Sequence, residues 1–326
     1  MQRRDFIKIV AGSAIIWPLA ARAQQPTLPV IGLLQIGTPS GYDLSGFRQG
    51  LKDVGYVEGE NLAIEYRFAN DDPARLSALA SDLVGRQVRV IAVLVSGLAA
   101  RAAKDATNTI PIVFGYGADP VKQGLVANLN RPGGNATGII SLGNELYSKQ
   151  LGILHELLPQ ATHIAVLANP QGLIYESIVN DTRAATSAIG QTIEILNAST
   201  DTEIDAVFMR LRDEKSAQGL LVTNDPFYIA RRVQLAILAA RYAVPTIYPY
   251  REMAEAGGLL SYGSNLAERD RQAGIYVGRI LKGEKPADLP VQQMSKFELV
   301  INSKTAKALG LAIPPGVLAI ADEVIE

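Results

Sequence analysis

Several hydrogen-bonding side chains follow apolar segments of this sequence that are typical of buried β-strands. Ser96 follows VRVIAVLV (88–95), and Asn224 follows AQGLLVT (217–223). Each precedes a predicted helix, whose first N–H groups have no partner within the helix and are suited to binding a carboxylate. Tyrosines in comparable positions can cover an apolar or aromatic group. The residues that we expect to contact a small ligand are Thr38, Ser40, Ser96, Gly97, Tyr116, Gly117, Asn169, Tyr175, Asn224, Asp225, Tyr228, Tyr248 and Tyr250.

Two Asp-Pro pairs, Asp119-Pro120 and Asp225-Pro226, occupy matching places after two of the predicted strands. A carboxylate in such a place can bind the ammonium group of a ligand. Aspartate before proline is also a common helix start, with aspartate as the N-cap and proline at the first helical position. The sequence favours capping for both pairs and leaves a ligand-binding role for Asp225 open.

The composition provides few of the groups that most catalytic sites require. The 326 residues include no cysteine and only two histidines, His155 and His163. Neither the G-x-x-x-x-G-K-[ST] phosphate loop nor the G-x-S-x-G nucleophile motif occurs in the sequence. The formal charge of −1 indicates no basic surface for nucleic acid. We therefore expect a binding protein rather than an enzyme, without a metal, a cofactor or a nucleic-acid partner.

An internal repeat organises the sequence. TIPIVF (109–114) returns as AVPTIY (243–248), and the two prolines are 134 residues apart. LPVIGLLQIG (28–37) corresponds to HIAVLANP (163–170) at a similar offset, and the predicted helices between these segments recur in the same order. Strands alternating with helices predict parallel sheets whose two faces are both covered by helices.

The predicted fold is therefore α/β, with two Rossmann-like lobes that contain parallel sheets and are joined by a three-strand hinge. The hinge strands are expected near GNATGII (134–140), GGLLSYG (257–263) and VQQMSKFELVIN (291–302). Open parallel sheets bind ligands at the carboxyl ends of their strands, so a cleft between the lobes is the expected site. The predicted segments are 28–138 plus about 263–290 for the first lobe, and 139–262 plus about 291–326 for the second.

Residues 1–23 are typical of an export signal. Arg3 and Arg4 precede an apolar run at 9–20, and ARA at 21–23 is a small-x-small cleavage pattern. The run is too short to cross a bilayer core of roughly 30 Å as a helix. The paired arginines are compatible with the twin-arginine route, and an ordinary secretory signal is the alternative. We expect cleavage near Ala23, a periplasmic location and a mature formal charge of about −4, since four of the 31 basic residues and one of the 32 acidic residues are removed.

Five segments resemble the substrate-binding proteins of ABC transporters, in the tryptophan/tyrosine-binding-like group. The resemblance extends from about residue 28 to 326 and implies a type I periplasmic binding protein fold that captures a small solute for a membrane permease. The segments are DPVKQGLVANLNRPGGNATG, NDPFYIARR, VPTIYPYREMAEAGGLLSYG, GRILKGEKPADLPVQQMSKFELVINSKTAKALGL and IPPGVLAIADEVIE.

The function expected from these observations is that of a monomeric periplasmic solute receptor that closes on its ligand and delivers it to an ABC permease. Tyrosines, hydroxyls and helix N-termini favour an amino acid or an aromatic or branched organic acid over a sugar, and the only tryptophan lies within the export signal. One alternative is a sensor of the same architecture that delivers the liganded protein to a membrane receptor. A second alternative, of a different class, is an exported two-lobed α/β enzyme.

Overall fold

The computed structural model describes residues 28–141, 146–188, 190–214 and 217–326. The predicted export signal at 1–23 lies outside the described residues. The described chain forms two α/β lobes, each built around its own mostly parallel sheet. The fold predicted from the internal repeat is therefore confirmed.

The first part of the chain alternates strands and helices, beginning with β1. Its elements are β1 (Val30–Gln35), α1 (Ser45–Asp53), β2 (Ala63–Phe68), a 3-10 turn (Pro73–Arg75), α2 (Leu76–Gly85), β3 (Ile91–Leu94), α3 (Gly97–Ala106), β4 (Ile112–Tyr116) and β5 (Ala136–Ile140).

The second part repeats this order after one additional helix. Its elements are α4 (Leu146–Leu157), β6 (His163–Ala168), α5 (Tyr175–Ala188), β7 (Thr192–Asn197), α6 (Asp201–Glu214), β8 (Gly219–Val222), α7 (Pro226–Ala230), α8 (Arg232–Arg241), β9 (Thr246–Tyr248), α9 (Arg251–Glu255) and β10 (Leu260–Ser264).

The last part of the chain contributes to both lobes. Its elements are α10 (Leu266–Leu281), a 3-10 turn (Pro286–Asp288), β11 (Gln292–Gln293), β12 (Phe297–Asn302), α11 (Ser303–Ala308), α12 (Pro315–Ala319) and β13 (Glu323–Ile325).

The five repeated strands of the two sheets have the same order. The first is β11-β5-β4-β3-β1-β2, with all neighbouring strands parallel. The second is β13-β12-β10-β9-β8-β6-β7, in which only the pair β10–β12 is antiparallel. The connections after β1 and β3 leave in opposite directions, as do those after β6 and β8, which creates a crevice at each sheet where ligands of this fold class bind.

Apolar side chains of the strands pack on both faces of the sheets. In β1, Ile31 and Leu33 join one core cluster, whereas Leu34 joins the cluster on the opposite face. All three are fully buried. This explains why the β1 segment is continuously apolar instead of alternating apolar with polar residues.

The chain passes between the lobes three times, after β5, after β10 and after β11. Ser264 Oγ donates a hydrogen bond to Ser141 Oγ at 2.8 Å, which links the first two crossings. Since β5 continues to Ile140 and β11 also pairs in the first sheet, the predicted lobe limits at 138 and 290 fall a few residues short of these strands.

Helix α10 returns to the first lobe and packs closely on α1. A Cβ atom at Gly50 would lie 1.9 Å from the carbonyl oxygen of Arg271, and one at Gly274 would lie 2.3 Å from that of Phe47. Glycine at these positions lets the two helix backbones touch. The contact holds the hinge segment that precedes α10 against the first lobe.

Candidate functional site

A cavity with about 740 Å³ of empty space lies between the lobes, at the carboxyl ends of the strands. Both lobes contribute to its wall. The residues predicted from the sequence that line this cavity are Ser96, Gly97, Tyr116, Gly117, Asn169, Asn224 and Asp225.

The first lobe contributes the N-terminus of α3 to the cavity wall. Ser96 is the N-cap, and its Oγ accepts a hydrogen bond from the N–H of Ala99 at 3.2 Å. The cap leaves the N–H groups of Gly97 and Leu98, the first two of the helix, without an intrahelical acceptor, and both residues line the cavity. This part of the wall is suited to a carboxylate.

The backbone at Val95, just before this helix, adopts an unusual conformation. Val95 has φ of +73°, a region that β-branched residues rarely occupy. Its N–H donates to the carbonyl oxygen of Gly115 in the adjacent strand at 2.5 Å. Strained backbone of this kind is concentrated at binding sites. Here it turns the chain from the end of β3 into α3 at the edge of the cavity.

The second lobe contributes a buried carboxylate, that of Asp225. Its Oδ1 accepts hydrogen bonds from the N–H of Phe227 at 2.9 Å and from Asn169 Nδ2 at 3.0 Å. Asp225 is therefore the N-cap of α7, as the sequence favoured, and it also lines the cavity. Its Oδ2 has no hydrogen-bond partner among the described residues, and burial raises the pKa of this carboxyl. One oxygen thus caps the helix while the other remains available to a ligand.

Asp119 accepts the hydrogen bonds predicted for an N-cap, but the residues that follow it form a turn and not the predicted helix. Its Oδ1 accepts from the N–H groups of Val121 and Lys122, at 2.9 and 3.3 Å. It lies at a second cavity, which has about 1530 Å³ of empty space and adjoins the first at Gly117 and Asn224. Tyr175, another predicted site residue, lines this second cavity and donates its hydroxyl to Asn197 Oδ1 at 3.0 Å.

The charges around the first cavity are unbalanced. Asp71 and Asp225 line it, whereas no lysine or arginine within the described part of the chain does so. Asp71 is already paired across the cleft with Arg231, whose Nη2 lies 3.1 Å from its Oδ2. Asp225 consequently remains as the carboxylate without a cationic side chain in direct contact, and a cationic ligand group would neutralise it.

The remaining predicted site residues lie elsewhere. Tyr228 and Tyr248 are fully buried in the core of the second lobe and do not line the cavity. The Tyr228 hydroxyl donates to the carbonyl oxygen of Ala198 at 2.7 Å. Tyr250 packs in a small apolar cluster with Ile229 and Leu266. None of these three tyrosines lines the cavity, although Tyr250 lies close enough to the side chain of Asn224 in the cavity wall to interact with it.

Two further predicted residues precede α1. Thr38 lines a small pocket of about 300 Å³ beside the main cavity. Ser40 is exposed and lines none of the cavities found among the described residues. The loop after β1 therefore contributes Ile36 to the main cavity instead of either hydroxyl.

Sequence reasoning missed several side chains of the cavity wall, notably Asp71, Gln123, Leu173 and Phe227. Leu173 and Phe227 lie within loops expected to carry the site. Asp71 and Gln123 follow β2 and β4, so the carboxyl end of a strand was the signal that would have found them.

Contacts across the cleft show that the lobes are closed on each other. A Cβ added to Gly117 of the first lobe would lie 2.3 Å from Asn224 Nδ2 of the second. Arg232 Nη1 donates to the carbonyl oxygen of Gly41 at 3.4 Å, in addition to the Arg231–Asp71 pair. The cavity is thus enclosed from two sides.

The described residues contain neither a metal-binding cluster nor a membrane-spanning helix. No group of three or more histidine, cysteine, aspartate or glutamate side chains in the described ranges could hold a metal ion. Within the same ranges, no helix has the length and apolarity needed to cross a membrane.

Solved structures share this two-lobed fold, that of type I periplasmic binding proteins. An ABC domain from Streptococcus pneumoniae in complex with L-Trp is 26% identical and has a TM-score of 0.81, with 91% of this chain and 99% of that chain covered. The ligand-free, open structure of a substrate binding protein from Clostridium difficile has the same identity and coverage but a TM-score of 0.64. The lobe arrangement described above is thus closer to the liganded structure.

Sequence comparisons agree with this fold. A curated tyrosine-binding protein from Clostridioides difficile is 27% identical over 266 residues, which span 82% of this chain and 76% of that protein. The family model for ABC transporter substrate binding proteins matches residues 35–325, and the chain belongs to this family.

Proposed function

We propose that this protein is the solute-binding component of an ABC importer and that its ligand is an α-amino acid with an aromatic or large apolar side chain. One observation carries the choice of ligand. The N-terminus of α3 and the carboxylate of Asp225 line the same cavity, and no lysine or arginine of the described residues does. A zwitterion matches both groups, because its carboxylate suits the helix N-terminus and its ammonium suits the aspartate.

The two charged groups of the ligand would bridge the lobes. The carboxylate would accept hydrogen bonds from the N–H groups of Gly97 and Leu98 in the first lobe. The ammonium would donate to Asp225 Oδ2 in the second. Since only the closed arrangement allows both interactions, the ligand would stabilise closure by binding the closed state more tightly than the open one.

The apolar part of the ligand has suitable surroundings in the same region. Leu173 and Ile174 line both cavities, and Leu173 is 46% exposed. Tyr147 and Tyr175 line the adjoining cavity. Burial of an aromatic side chain against these residues would provide most of the apolar contribution to affinity. The tyrosine-binding relative and the structure in complex with L-Trp support a ligand with an aromatic side chain.

Export and transport complete the proposal. The pattern of residues 1–23 supports export to the periplasm with cleavage near Ala23, and the family supports delivery to an ABC permease. The protein would act as a monomer through binding and release.

A ligand screen tests this function. Protein beginning at Gln24 would be unfolded, dialysed to remove co-purified ligand, refolded and tested by thermal shift against L-amino acids, organic acids and sugars. A ligand at 100 times its Kd stabilises by about 2.7 kcal/mol, which raises Tm by a few degrees. We expect shifts with L-tyrosine, L-tryptophan or L-phenylalanine. Shifts restricted to sugars or to acids without an amino group would contradict the proposal.

A further inference from the structure

Gln123 has an unsatisfied amide group in the wall between the two cavities, and it lines both. Its Oε1 accepts a hydrogen bond from the hydroxyl of Tyr116 at 2.8 Å. Its Nε2 is buried and has no hydrogen-bond partner among the described residues. Buried amide donors in native proteins are nearly always paired, so an unpaired donor in a ligand cavity indicates a partner supplied by the ligand or by water.

The amide lies beside the start of α3. A Cβ placed on Gly97 would be 3.2 Å from Gln123 Oε1 and 3.4 Å from Cε2 of Tyr116. The Gln123 amide is therefore adjacent to the same helix N-terminus whose free N–H groups face the cavity. The Nε2 donor of Gln123 therefore lies on the same side of the cavity as the backbone N–H donors of α3. Asp225, an acceptor, lies on the opposite lobe.

Tyr116 determines which atom of the Gln123 amide it binds, and therefore which atom is left for another partner. The Tyr116 ring is buried, with 1% of the residue exposed, and burial raises the pKa of its hydroxyl well above the usual range. The phenol therefore stays protonated and donates to Oε1. With Oε1 engaged in this bond, the two hydrogens of Nε2 are left for a second acceptor.

We infer that Gln123 is a ligand-binding residue whose Nε2 donates a hydrogen bond to the carboxylate of the bound amino acid, and that Tyr116 is the positioning residue that orients its amide. This inference rests on the proposed function, because it assigns the side chain that completes the carboxylate site. The site would then consist of two backbone N–H groups of α3 and one side-chain amide.

Titration calorimetry with three ligands tests the inference. L-Tyrosine, L-tryptophan and L-phenylalanine share a carboxylate and differ in the polar group of the ring, so a contact with the carboxylate is common to all three. The Gln123→Met variant keeps the length of the side chain and lacks the donor. We expect its Kd to rise about 10- to 100-fold, by a similar factor for every ligand of the three that the wild type binds.

A second variant distinguishes a hydrogen bond from a packing effect. Gln123→Glu has almost the same shape but places a carboxylate beside that of the ligand. We expect it to bind more weakly than Gln123→Met at pH 7.5 and to recover relative to wild type at pH 5, where the new carboxyl is partly protonated and can donate. A purely structural role of Gln123 predicts no such pH dependence. Gln49→Met, on the exposed face of α1, serves as the matched control and should bind like wild type.

The possible outcomes separate this inference from the function on which it rests. If wild type binds these amino acids and Gln123→Met binds them equally well, the inference is wrong and the proposed function stands. A loss seen with L-tyrosine but not with L-phenylalanine would also overturn it, because the amide would then contact the ring substituent. If wild type binds none of the three and no L-amino acid with a large apolar side chain, both are overturned. Thermal melting without ligand verifies that each variant is folded.

Discussion

The ends of β3 and β8 occupy equivalent positions in the two lobes but contribute opposite chemistry to the cleft. Ser96 follows β3 and caps α3, whereas Asp225 follows β8 and caps α7. A serine cap keeps the N-terminus electropositive, while an aspartate cap places a buried negative charge there. The two equivalent strand ends therefore present opposite electrostatic character to the cleft. This difference favours one orientation of a bound zwitterion.

The lengths of the two helices increase this contrast. Helix α3 has ten residues, whereas α7 has five. The longer helix contributes the stronger dipole at its N-terminus, and the shorter one contributes little to offset the charge of its aspartate. The first lobe is therefore the carboxylate side of the cleft and the second lobe the ammonium side. Substitutions that remove this contrast should change binding more than stability.

The largest effect is expected from Asp225→Asn. The substitution removes the charge that would bind the ammonium but retains an oxygen able to accept from Asn169 and from the N–H of Phe227. Truncating one partner of a desolvated charge pair costs about 2–5 kcal/mol, so the Kd should rise about 30-fold to several thousand-fold.

Thermal melting provides the control for Asp225→Asn. Burial raises the pKa of Asp225, so its charged form is unfavourable in the unliganded protein. The variant should therefore melt at the same temperature as wild type or slightly higher without ligand. A lower Tm together with unchanged affinity would assign Asp225 to capping alone.

Gly117→Ala should have the next largest effect because it blocks the approach of the two lobes. The new Cβ would lie 2.3 Å from Asn224 Nδ2, a contact made only when the cleft is closed. Overpacking of this kind costs about 1–3 kcal/mol, so ligand affinity should fall about 5- to 150-fold. Small-angle scattering should show a smaller ligand-induced compaction than in wild type.

Gly85→Ala is the matched control for this substitution. Gly85 ends α2, far from the cleft, and a Cβ there meets nothing within 4 Å. It should leave affinity unchanged. Equal affinities of Gly117→Ala and wild type would show that ligand binding does not require the closed arrangement.

Asp71→Asn should have a smaller effect, since it removes a partly exposed ion pair across the cleft. Asparagine tolerates the φ of +61° at this position and keeps the shape of the side chain. Partly exposed pairs contribute about 0.2–1 kcal/mol, so the dissociation rate of the ligand should rise about 1.5- to 5-fold.

A second ion pair of Arg231, the partner of Asp71, provides a control variant within one lobe. Arg231 also pairs with Asp201 of the second lobe, and Asp201→Asn leaves the cross-cleft pair intact. Stopped-flow measurements at low and high salt should show reduced salt dependence only for Asp71→Asn. The same change in both variants would assign the effect to Arg231 itself.

Tyr228→Phe should not affect ligand affinity. The substitution leaves the carbonyl of Ala198 without the buried hydroxyl that donates to it at 2.7 Å. The expected loss of stability is about 1 kcal/mol, measured by urea unfolding. A raised Kd with unchanged stability would place Tyr228 in the ligand site, where the sequence had suggested it.

The sequence predicted the fold because the fold depends on local patterns that occur twice. These patterns are the continuous apolar strands, the regular spacing of apolar residues in the helices and the recurring proline. They do not depend on the orientation of any single side chain. The type of capping was also predictable, since Asp225-Pro226 specifies a helix start from residue identity alone.

The sequence did not determine which strand-end residues face the cavity. Tyr248 ends β9, yet its ring faces α8, where the hydroxyl donates to the carbonyl oxygen of Leu235 at 3.5 Å. Tyr228 sits in the short helix α7 with its ring turned into the core. The direction of a side chain at a strand end depends on the packing of the next helix, and sequence position alone does not fix it.

The residues that sequence reasoning missed depend on backbone geometry. Asn70 and Asp71 both have positive φ values, of 55° and 61°, and this turn carries the Asp71 carboxylate back to the cleft. Gln123 reaches the cavity because the turn after β4 folds back, with its N–H donating to the carbonyl oxygen of Asp119 at 3.2 Å. Neither arrangement follows from residue spacing.

The central claim is that the first lobe binds the carboxylate of the ligand and the second lobe binds its ammonium. Calorimetric titration of ligand-free wild type with L-tyrosine, tyramine and 3-(4-hydroxyphenyl)propionate tests it most directly, because the two analogues each lack one charged group. We expect L-tyrosine to bind at least about 30-fold more tightly than either analogue, as one lost charged interaction costs about 2 kcal/mol or more. Binding of either analogue with the affinity of L-tyrosine would contradict the assignment of that charged group to its lobe.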